Sequence, residues 1–353
     1  MHHTFAPGRR HSAQVSRGRW PFINANGHNL GPAIPFEGKR FQSNPILPAP
    51  SQDPQVSYFE GRYYYCESTA DGIFLRVAED FLSFAHAPRI CVWKPLRRGP
   101  CSKNIWAPEL HFIDGRPYIY FAADDGKNVN HRMWAIEGRS ADPLGDYRSP
   151  TRFETSGWAI DGTVLENNGE RFFVWSGWAG RQDGQQNLYM ARMASPTKLA
   201  SERVLLTMPT EDWERHAMPI CEGPQILQRG GRTFIVYSAS GSWTSEYCLG
   251  LMVHEGGALD DPRGWRKVGR IFSSNEHAVG VGHCGFLQTP EGEDWLFYHA
   301  KQSRKHGWGD REVRAQLHAW TEDGLPHLGE PVPRDRAVWR PSRVSGASLR
   351  LAS

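Results

Sequence analysis

The sequence predicts an all-β fold, a five-bladed β-propeller, and three observations predict it. Five segments share one pattern, in which a turn containing glycine precedes a run of β-branched or aromatic residues. These turn glycines are 54, 54, 62 and 61 residues apart, and sustained helical periodicity is scarce. Glycine turns between apolar runs are hairpin signals, and a near-constant period of this length indicates small sheets repeated around an axis. The turn glycines are Gly61, Gly115, Gly169, Gly231 and Gly292.

The five predicted hairpins follow one another along most of the chain. In order they are YFEGRYYYCES (58–68), FIDGRPYIYFAA (112–123), ENNGERFFVWSG (166–177), QRGGRTFIVYSAS (228–240) and TPEGEDWLFYHA (289–300). Units of this length leave room for four strands each and for loops, which we expect at 195–216 and 301–312. The predicted domains are an exposed arm over 1–20, one propeller over 21–340 and a tail over 341–353.

Composition excludes several function classes. The 353 residues include 41 Lys and Arg against 38 Asp and Glu, a net charge of +3 that gives no electrostatic footprint for nucleic acid. No apolar run approaches the roughly 18 residues of a membrane span, and the first residues lack the apolar segment of a secretory signal. The six cysteines form no C-x-x-C pair, so we expect buried free thiols rather than a zinc site. These features predict a cytoplasmic protein without nucleic-acid or membrane partners, and they leave the oligomeric state open.

An ionisable side chain precedes each predicted hairpin, at the entrance of the first strand of its unit. First strands line the central axis of a propeller, so these side chains should converge at one end of that axis. Carboxylates brought together repel one another and burial raises their pKa values, an arrangement that serves proton transfer better than stability. We expect one shared cavity, with Glu109 in a structural role rather than a ligand-binding one. The five residues are Asp53, Glu109, Asp161, Glu222 and His283.

These segments together resemble glycoside hydrolase family 43, a family of five-bladed β-propeller glycosidases. The resemblance runs in order from about residue 45 to 335 and is closest to the α-L-arabinofuranosidase and arabinanase branch. Each motif alone is weak, whereas the ordered set is specific. The motifs are DPQVSYFEGRYYY, IWAPELHFIDGRPYIYF, AIDGTVLENNGERFFVWSG, EGPQILQRGGRTFIVYSAS and GVGHCGF.

The resemblance implies a role for each of three acids. Asp53, in an Asp-Pro, matches the general base of the family. Asp161, in an Asp-Gly-Thr, matches the aspartate that orients the acid and modulates its pKa. Glu222, in a Glu-Gly-Pro, matches the general acid. The family inverts configuration, and an inverting pair lies roughly 6.5–9.5 Å apart to admit a water molecule.

The resemblance also implies binding residues. His283 matches a histidine at the channel axis, where it would contact substrate or a structural calcium ion, although the Asn that often follows that histidine is Cys284 in this chain. Arg311 is the best match to a substrate-binding arginine, with Arg314 as the alternative. Trp106 precedes Ala-Pro-Glu and is a candidate to stack on a sugar face, with a place in the core as the alternative. No cofactor is expected for the chemistry itself.

The expected function is hydrolysis of an oligosaccharide or plant-polysaccharide fragment by an exo-acting α-L-arabinofuranosidase. A β-xylosidase, an endo-arabinanase or a galactofuranosidase would use the same chemistry. The long segment AKQSRKHGWGDRE before Arg311 favours a closed pocket and therefore exo action. Gln52-Asp53-Pro54-Gln55 differs from the Asn-Asp-Pro-Asn-Gly of retaining, invertase-like relatives. A non-catalytic sugar-binding propeller is the alternative from another class, and it would have no need for all three acids.

Overall fold

A computed structural model describes residues 41–339, and it consists of β-strands, loops and a few short 3-10 helices. Five antiparallel sheets form the blades of a propeller, and within each blade successive strands pair in chain order, except for the last short strand of the third blade. The first strand of every blade contacts the first strand of the next, around a full circle. The prediction of a five-bladed β-propeller is confirmed.

The first four blades each contain at least four strands. Blade one contains β2 (Gln55–Phe59), β3 (Arg62–Thr69), β4 (Gly72–Ala78) and β5 (Arg89–Trp93). Blade two contains β6 (Lys103–Ile113), β7 (Arg116–Asp124), β8 (Arg132–Glu137) and β9 (Thr151–Arg152). Blade three contains β10 (Ala159–Asn167), β11 (Glu170–Trp178), β12 (Gln186–Ser195), β13 (Lys198–Leu199) and β14 (Val204–Thr207). Blade four contains β15 (Cys221–Arg229), β16 (Arg232–Ala239), β17 (Cys248–His254) and β18 (Trp265–Phe272).

The remaining elements complete the ring and its edges. Blade five contains β19 (Val279–Gln288), β20 (Asp294–Lys301) and β21 (Arg311–Leu317). Two small pairs join β22 (Ala319–Trp320) to β23 (Pro326–His327), and β1 (Phe41–Ser43) to β24 (Ala337–Trp339). The 3-10 helices are Phe81–His86, Asn128–Asn130, Asp212–Glu214 and Pro262–Gly264.

The five predicted glycine turns each join the first and second strands of a blade. In blade three, Asn168 and Gly169 connect β10 to β11 with φ values of 50° and 81°. Two positive φ angles in succession give the twist that a tight hairpin requires, and asparagine followed by glycine adopts them at low cost. The repeat seen in the sequence is therefore the repeat of the blades.

The apolar core is a ring of five clusters, one between each pair of neighbouring blades. Between blades two and three, Tyr120, Phe173 and the fully buried Trp175 pack together. Between blades five and one, Phe81 packs against Trp295 with ring centroids 4.9 Å apart. Because both faces of every sheet are covered by a neighbour, the aromatic-rich strands are buried without any helical layer.

The two ends of the described chain meet and close the ring. Strand β1 pairs with β24 in antiparallel register. The backbone N–H of Ile46 donates to the carbonyl of Val313 in β21 at 2.8 Å, and Leu47 forms a bridge with the same residue. The segment after β1 therefore lies along the outer edge of blade five, which has only three strands of its own.

The structure also bears on the predictions for loops, cysteines, membrane spans and domain boundaries. The segment 301–312 is a loop between β20 and β21, as predicted, whereas 195–216 contains β13 and β14, so the prediction of a continuous loop there is wrong. All six cysteines are free thiols. Within 41–339, no helix has the length and apolar character needed to cross a bilayer. The predicted arm and tail lie outside the described residues, so the domain boundaries stay predictions.

Candidate active site

Every blade carries a residue with a left-handed backbone either just before its first strand, as in blade one, or within the first five residues of that strand. In blades two to five the residue coincides with a β-bulge, where the pairing register with the second strand shifts. A bulge bends the strand and changes the direction in which its side chains point. These five positions are Asp53 (φ 49°), Ala107 (φ 40°), Asp161 (φ 54°), Gly223 (φ 54°) and His283 (φ 42°).

The bulge in blade four needs glycine. A Cβ on Gly223 would lie 3.2 Å from Ser238 Oγ and 3.3 Å from His283 Nδ1, and its φ of 54° is strained for other residues. Its neighbour Glu222 is thereby held near the start of β15, where it lines the cavity. The glycine of the Glu-Gly-Pro motif is therefore required for a steric reason, in addition to the chemical role expected of the glutamate.

All six predicted site residues line one cavity of about 640 Å³ at one end of the propeller axis. The cavity is also lined by further tryptophans from three blades. The fold therefore brings these residues into one cavity, as expected from the sequence. Their individual roles stay predictions. The six residues are Asp53, Trp106, Asp161, Glu222, His283 and Arg311.

Asp53 lies among three basic side chains. Its Oδ1 is 3.4 Å from His283 Nδ1, 3.3 Å from His299 Nδ1 and 3.4 Å from Arg311 Nη1. Burial alone would favour the neutral acid, but His283, Arg311 and His299 outweigh it and hold the pKa of Asp53 well below its usual range. Asp53 is therefore ionised at neutral pH, the state that a general base requires.

Glu222 has the opposite tendency. Its carboxyl is buried and accepts a hydrogen bond of 2.8 Å from the hydroxyl of Tyr247. Burial raises the pKa of Glu222 to about 7, with Asp53 adding to the shift and Tyr247 and Arg311 opposing it. A substantial protonated fraction at neutral pH is what a general acid needs.

Asp161 lies against the peptide that follows Glu222. Its Oδ2 accepts a hydrogen bond of 3.1 Å from the backbone N–H of Gly223. Burial raises the pKa of Asp161 well above its ordinary value, Glu222 and Asp53 raise it further, and the Gly223 hydrogen bond lowers it. Because repulsion between two carboxylates is mutual, ionisation of Asp161 disfavours ionisation of Glu222.

His283 occupies the axial position of blade five. Its backbone N–H donates to Ser238 Oγ at 2.8 Å, and its Nδ1 faces Asp53. Among residues 41–339, no group of three or more His, Cys, Asp or Glu side chains is arranged to hold a metal ion. Calcium prefers six to eight oxygen ligands, so one imidazole with Arg311 nearby fits calcium poorly.

The segment between β20 and β21 forms one wall of the cavity. The N–H of Gly307 donates to the carbonyl of Trp243 at 2.9 Å, and the rings of Trp243 and Trp308 pack edge to face with centroids 5.6 Å apart. Both tryptophans line the cavity, and Arg311 Nε donates to the Trp308 carbonyl at 3.1 Å. The segment therefore brings its own aromatic side chain and the guanidinium to the same site.

The other wall is also aromatic. Trp106 is 40% exposed and lines the cavity together with Trp158, so it does not lie in the core. Trp178 is buried in β11 and stacks on Trp158 with centroids 4.7 Å apart. Arg314, the alternative to Arg311, is buried against Glu312 and does not line the cavity.

Glu109 is the carboxylate that does not reach the cavity. It is buried, its Oε2 lies 2.7 Å from His111 Nε2, and it accepts a hydrogen bond from the Gln225 side chain. The bulge of blade two places Ala107 at the left-handed position, two residues before Glu109. The structural interpretation of Glu109 agrees with this placement.

Two residues of the site escape prediction from the sequence. Tyr247 donates to Glu222, and the fully buried His299 contacts Asp53 and stacks on the Tyr247 ring with centroids 5.3 Å apart. Burial lowers the pKa of His299 to about 4, although Asp53 opposes the shift, so the imidazole is neutral. Tyr247 precedes a strand and His299 lies within an apolar strand. Core residues have the same sequence context, so the sequence does not distinguish these two from them.

Comparison with known proteins places the chain in one family. The profile for Glycosyl hydrolases family 43 matches residues 42–326. The extracellular exo-α-(1→5)-L-arabinofuranosidase of Streptomyces avermitilis is 33% identical over 298 residues, covering 79% of this chain and 62% of that protein. A protein of the same name from Streptomyces chartreusis is 33% identical, covering 73% of this chain and 84% of that protein.

Structural comparison agrees. The crystal structure of an α-L-arabinofuranosidase from Lactobacillus brevis superposes with a TM-score of 0.77 at 32% identity, covering 83% of this chain and 98% of that one. The chain spans 62% of the length of its Streptomyces avermitilis relative.

The expectation of a cytoplasmic protein is wrong. Both Streptomyces relatives are named as extracellular enzymes. The expectation rested on the first residues of the sequence, whose lack of an apolar segment does not determine where the protein acts. The matched profile, the two relatives and the shared propeller lead to one conclusion: this chain is a member of glycosyl hydrolases family 43.

Proposed function

We propose that this protein is an inverting exo-α-L-arabinofuranosidase that releases arabinofuranose from arabinan or arabinose-containing oligosaccharides. One observation carries the hydrolase proposal: two carboxyl groups share one cavity, and their surroundings lower the pKa of Asp53 and raise the pKa of Glu222. The names of the relatives support the choice of sugar. The two extracellular relatives also support action outside the cell.

The mechanism follows from those opposite pKa shifts. Glu222 donates its proton to the glycosidic oxygen as the bond from the anomeric carbon to that oxygen breaks. Asp53 accepts a proton from a water molecule, whose oxygen attacks the anomeric carbon on the opposite face. The new sugar hydroxyl has inverted configuration. Afterwards Asp53 is protonated and Glu222 ionised, and exchange with solvent restores both.

Three neighbours assist without carrying the transferred protons. Asp161 accepts the Gly223 N–H and so holds the peptide that follows Glu222; when Asp161 is ionised, its charge also favours the protonated form of Glu222. His283 and Arg311 keep Asp53 ionised, and both face the cavity, where they can also bind sugar hydroxyls. A structural calcium ion near His283 stays a prediction, and an unfolding temperature that does not change with EDTA would count against it.

Exo action is proposed from the wall formed by the β20–β21 segment. Trp243 and Trp308 are linked through the Gly307 hydrogen bond and the Trp308 Nε1 bond of 3.1 Å to Ser242 Oγ. A wall of this kind closes one end of a groove, so that the chain end of a polysaccharide enters and its interior does not. Product analysis on linear arabinan tests this, with free arabinose expected and a ladder of oligosaccharides contradicting it.

A panel of aryl glycosides tests the sugar and the enzyme class together. We expect p-nitrophenyl α-L-arabinofuranoside to be cleaved faster than the β-xyloside or the β-galactofuranoside. Faster cleavage of the xyloside or galactofuranoside would keep the hydrolase and replace the sugar. Binding of arabino-oligosaccharides without cleavage of any member would favour the non-catalytic sugar-binding propeller.

A further inference from the structure

A fully buried polar pair lies behind one tryptophan of the cavity wall. Trp106 exposes 40% of its surface and lines the cavity. Its ring stacks on His131, with centroids 4.0 Å apart and planes 27° apart. Neither His131 nor its partner Asp124 exposes any measurable surface, and neither lines the cavity.

The imidazole of His131 is hydrogen-bonded at one nitrogen and faces a carboxylate with the other. Nε2 donates to the carbonyl of Asn104 at 2.9 Å, and Nδ1 lies 3.0 Å from Asp124 Oδ2. Asp124 is fixed in turn, because it accepts hydrogen bonds from Asn104 Nδ2 at 3.0 Å and from the Gly126 N–H at 2.7 Å. The imidazole is therefore contacted by atoms of two strands of blade two, Asn104 of β6 and Asp124 of β7.

The strand that carries Trp106 does not fix the indole by itself. The pairing of β6 with β7 shifts register between Lys103 and Trp106 and again between Trp106 and Glu109. Bulges on both sides remove the regular ladder that would orient the residue between them. The stacked imidazole is therefore a contact that can set the tilt of the Trp106 ring.

Burying a histidine and a carboxylate behind a tryptophan is costly for stability. Polar groups lose hydration on burial, and apolar residues of similar volume usually pack at least as well. A leucine beneath the indole would fill the space but would leave the ring free to tilt. A reason other than stability therefore favours this pair, and the exposed face of the indole in the cavity supplies one.

We propose that His131, held by Asp124, is a positioning residue that fixes Trp106 as a flat platform for a sugar ring of the substrate. The platform lowers the cost of binding because the indole is already oriented before the sugar arrives. The sugar presents its C–H groups to the electron-rich aromatic face. The inference rests on the proposed function only in that the cavity takes a sugar.

Binding measurements on a protein that does not turn over substrate test the inference. In a Glu222→Gln background, calorimetric titration with α-1,5-linked arabinotriose gives Kd for Trp106→Ala, His131→Ala and the double variant. We expect each single change to weaken binding about tenfold. The double variant should bind no more weakly than Trp106→Ala, because both changes remove the same platform.

A matched control is available in blade four. His254 packs against Trp265 with centroids 5.1 Å apart, outside the cavity. His254→Ala should leave Kd unchanged, which separates loss of the platform from loss of any histidine–tryptophan contact. If His131→Ala does not fold, Asp124→Asn removes the charge behind the imidazole with little change in shape and should weaken binding in the same direction.

Defined outcomes would overturn the inference. Unchanged Kd in His131→Ala, or in Asp124→Asn where that variant replaces it, would remove the positioning role. Losses that multiply in the double variant would show that His131 acts independently of Trp106. Failure of the Glu222→Gln protein to bind arabinotriose or xylotriose would also overturn it. If binding behaves as expected while the wild type cleaves no glycoside, the proposed function fails and the platform stands.

Discussion

At the scale of the residue, function depends on partners that hold two carboxyl groups in different states. Asp53 touches two imidazoles and a guanidinium, which favour its charge. Glu222 is buried with a single phenol hydroxyl as its side-chain donor, and its pKa is raised to about 7. The same residue types in exposed loops would titrate together near their ordinary values.

Tyr247→Phe tests how the pKa of Glu222 is set. A hydrogen bond donated to a carboxylate stabilises the ionised form and lowers its pKa. Without the Tyr247 hydroxyl, the pKa of Glu222 should rise above about 7. The general acid then stays protonated to higher pH, so the basic limb of the kcat profile should move to higher pH.

The control for this change lies in the same blade. Tyr237 is also buried and donates to a carboxylate, Glu214, at 2.7 Å outside the cavity. Tyr237→Phe should leave the pH profile in place. A basic limb that stays fixed in Tyr247→Phe, or moves to lower pH, would contradict the account of Glu222.

Changing the leaving group separates the roles of the acid and the base. Glu222→Gln should nearly abolish cleavage of a natural oligosaccharide and spare an aryl glycoside with a good leaving group, which needs little protonation. Asp53→Asn should depress both strongly, because every substrate needs activated water. Azide should rescue only Asp53→Asn and give a glycosyl azide of inverted configuration. Equal losses on both substrates, with no response to azide, would leave the two assignments without support.

The sequence allowed prediction of those site residues whose chemistry is unusual beside an apolar strand. Asp53, Asp161 and Glu222 are acids near the start of predicted strands, where a carboxylate contributes nothing to the packing of an apolar strand. Tyr247 and His299 escaped prediction because an aromatic residue beside or within an apolar strand has an ordinary packing explanation. Their importance arises from three-dimensional contacts alone.

At the scale of the element, the left-handed residue just before or within the first five residues of each first strand organises the site. It explains why Asp161 and His283 point to the axis and why Glu109 does not. The hairpins were predictable because glycine turns and aromatic runs are local signals. The bulges were not predictable, because Asp161 and Ala107 adopt positive φ without being glycine. Their distance along the chain from the next glycine turn also does not reveal a bulge.

Gly223→Ala tests the bulge of blade four. A left-handed backbone costs a residue with a Cβ roughly 1–2 kcal/mol, and at this position the Cβ also meets Ser238 and His283. We expect unfolding by urea to show a loss of about that size, together with a fall in kcat of at least about tenfold as Glu222 and His283 are displaced.

Gly230→Ala is the matched control. Gly230 has a φ of 57° in the same blade, and nothing lies within 4 Å of its Cβ position. It should lose similar stability and keep full activity. Equal activity in the two variants would mean that the bulge does not position the site.

At the scale of the whole molecule, the ring brings five distant segments to one cavity. The sequence predicted this much, because five hairpins at a near-constant spacing have few other arrangements. It did not predict that the segment after β1 would lie along β21, since closure depends on pairing between opposite ends of the chain. The tryptophan wall built by the β20–β21 segment likewise depends on a tertiary contact, that between Gly307 and Trp243.

The central claim is that carboxyl groups from different blades act across this ring in a single displacement by water. The configuration of the first sugar released tests it most directly. Proton NMR during the first minutes of cleavage of an α-L-arabinofuranoside, before mutarotation, distinguishes the two anomers. The account predicts that β-L-arabinofuranose appears first, with the α anomer growing in later. Initial release of the α anomer would mean retention through a covalent intermediate and would contradict the account.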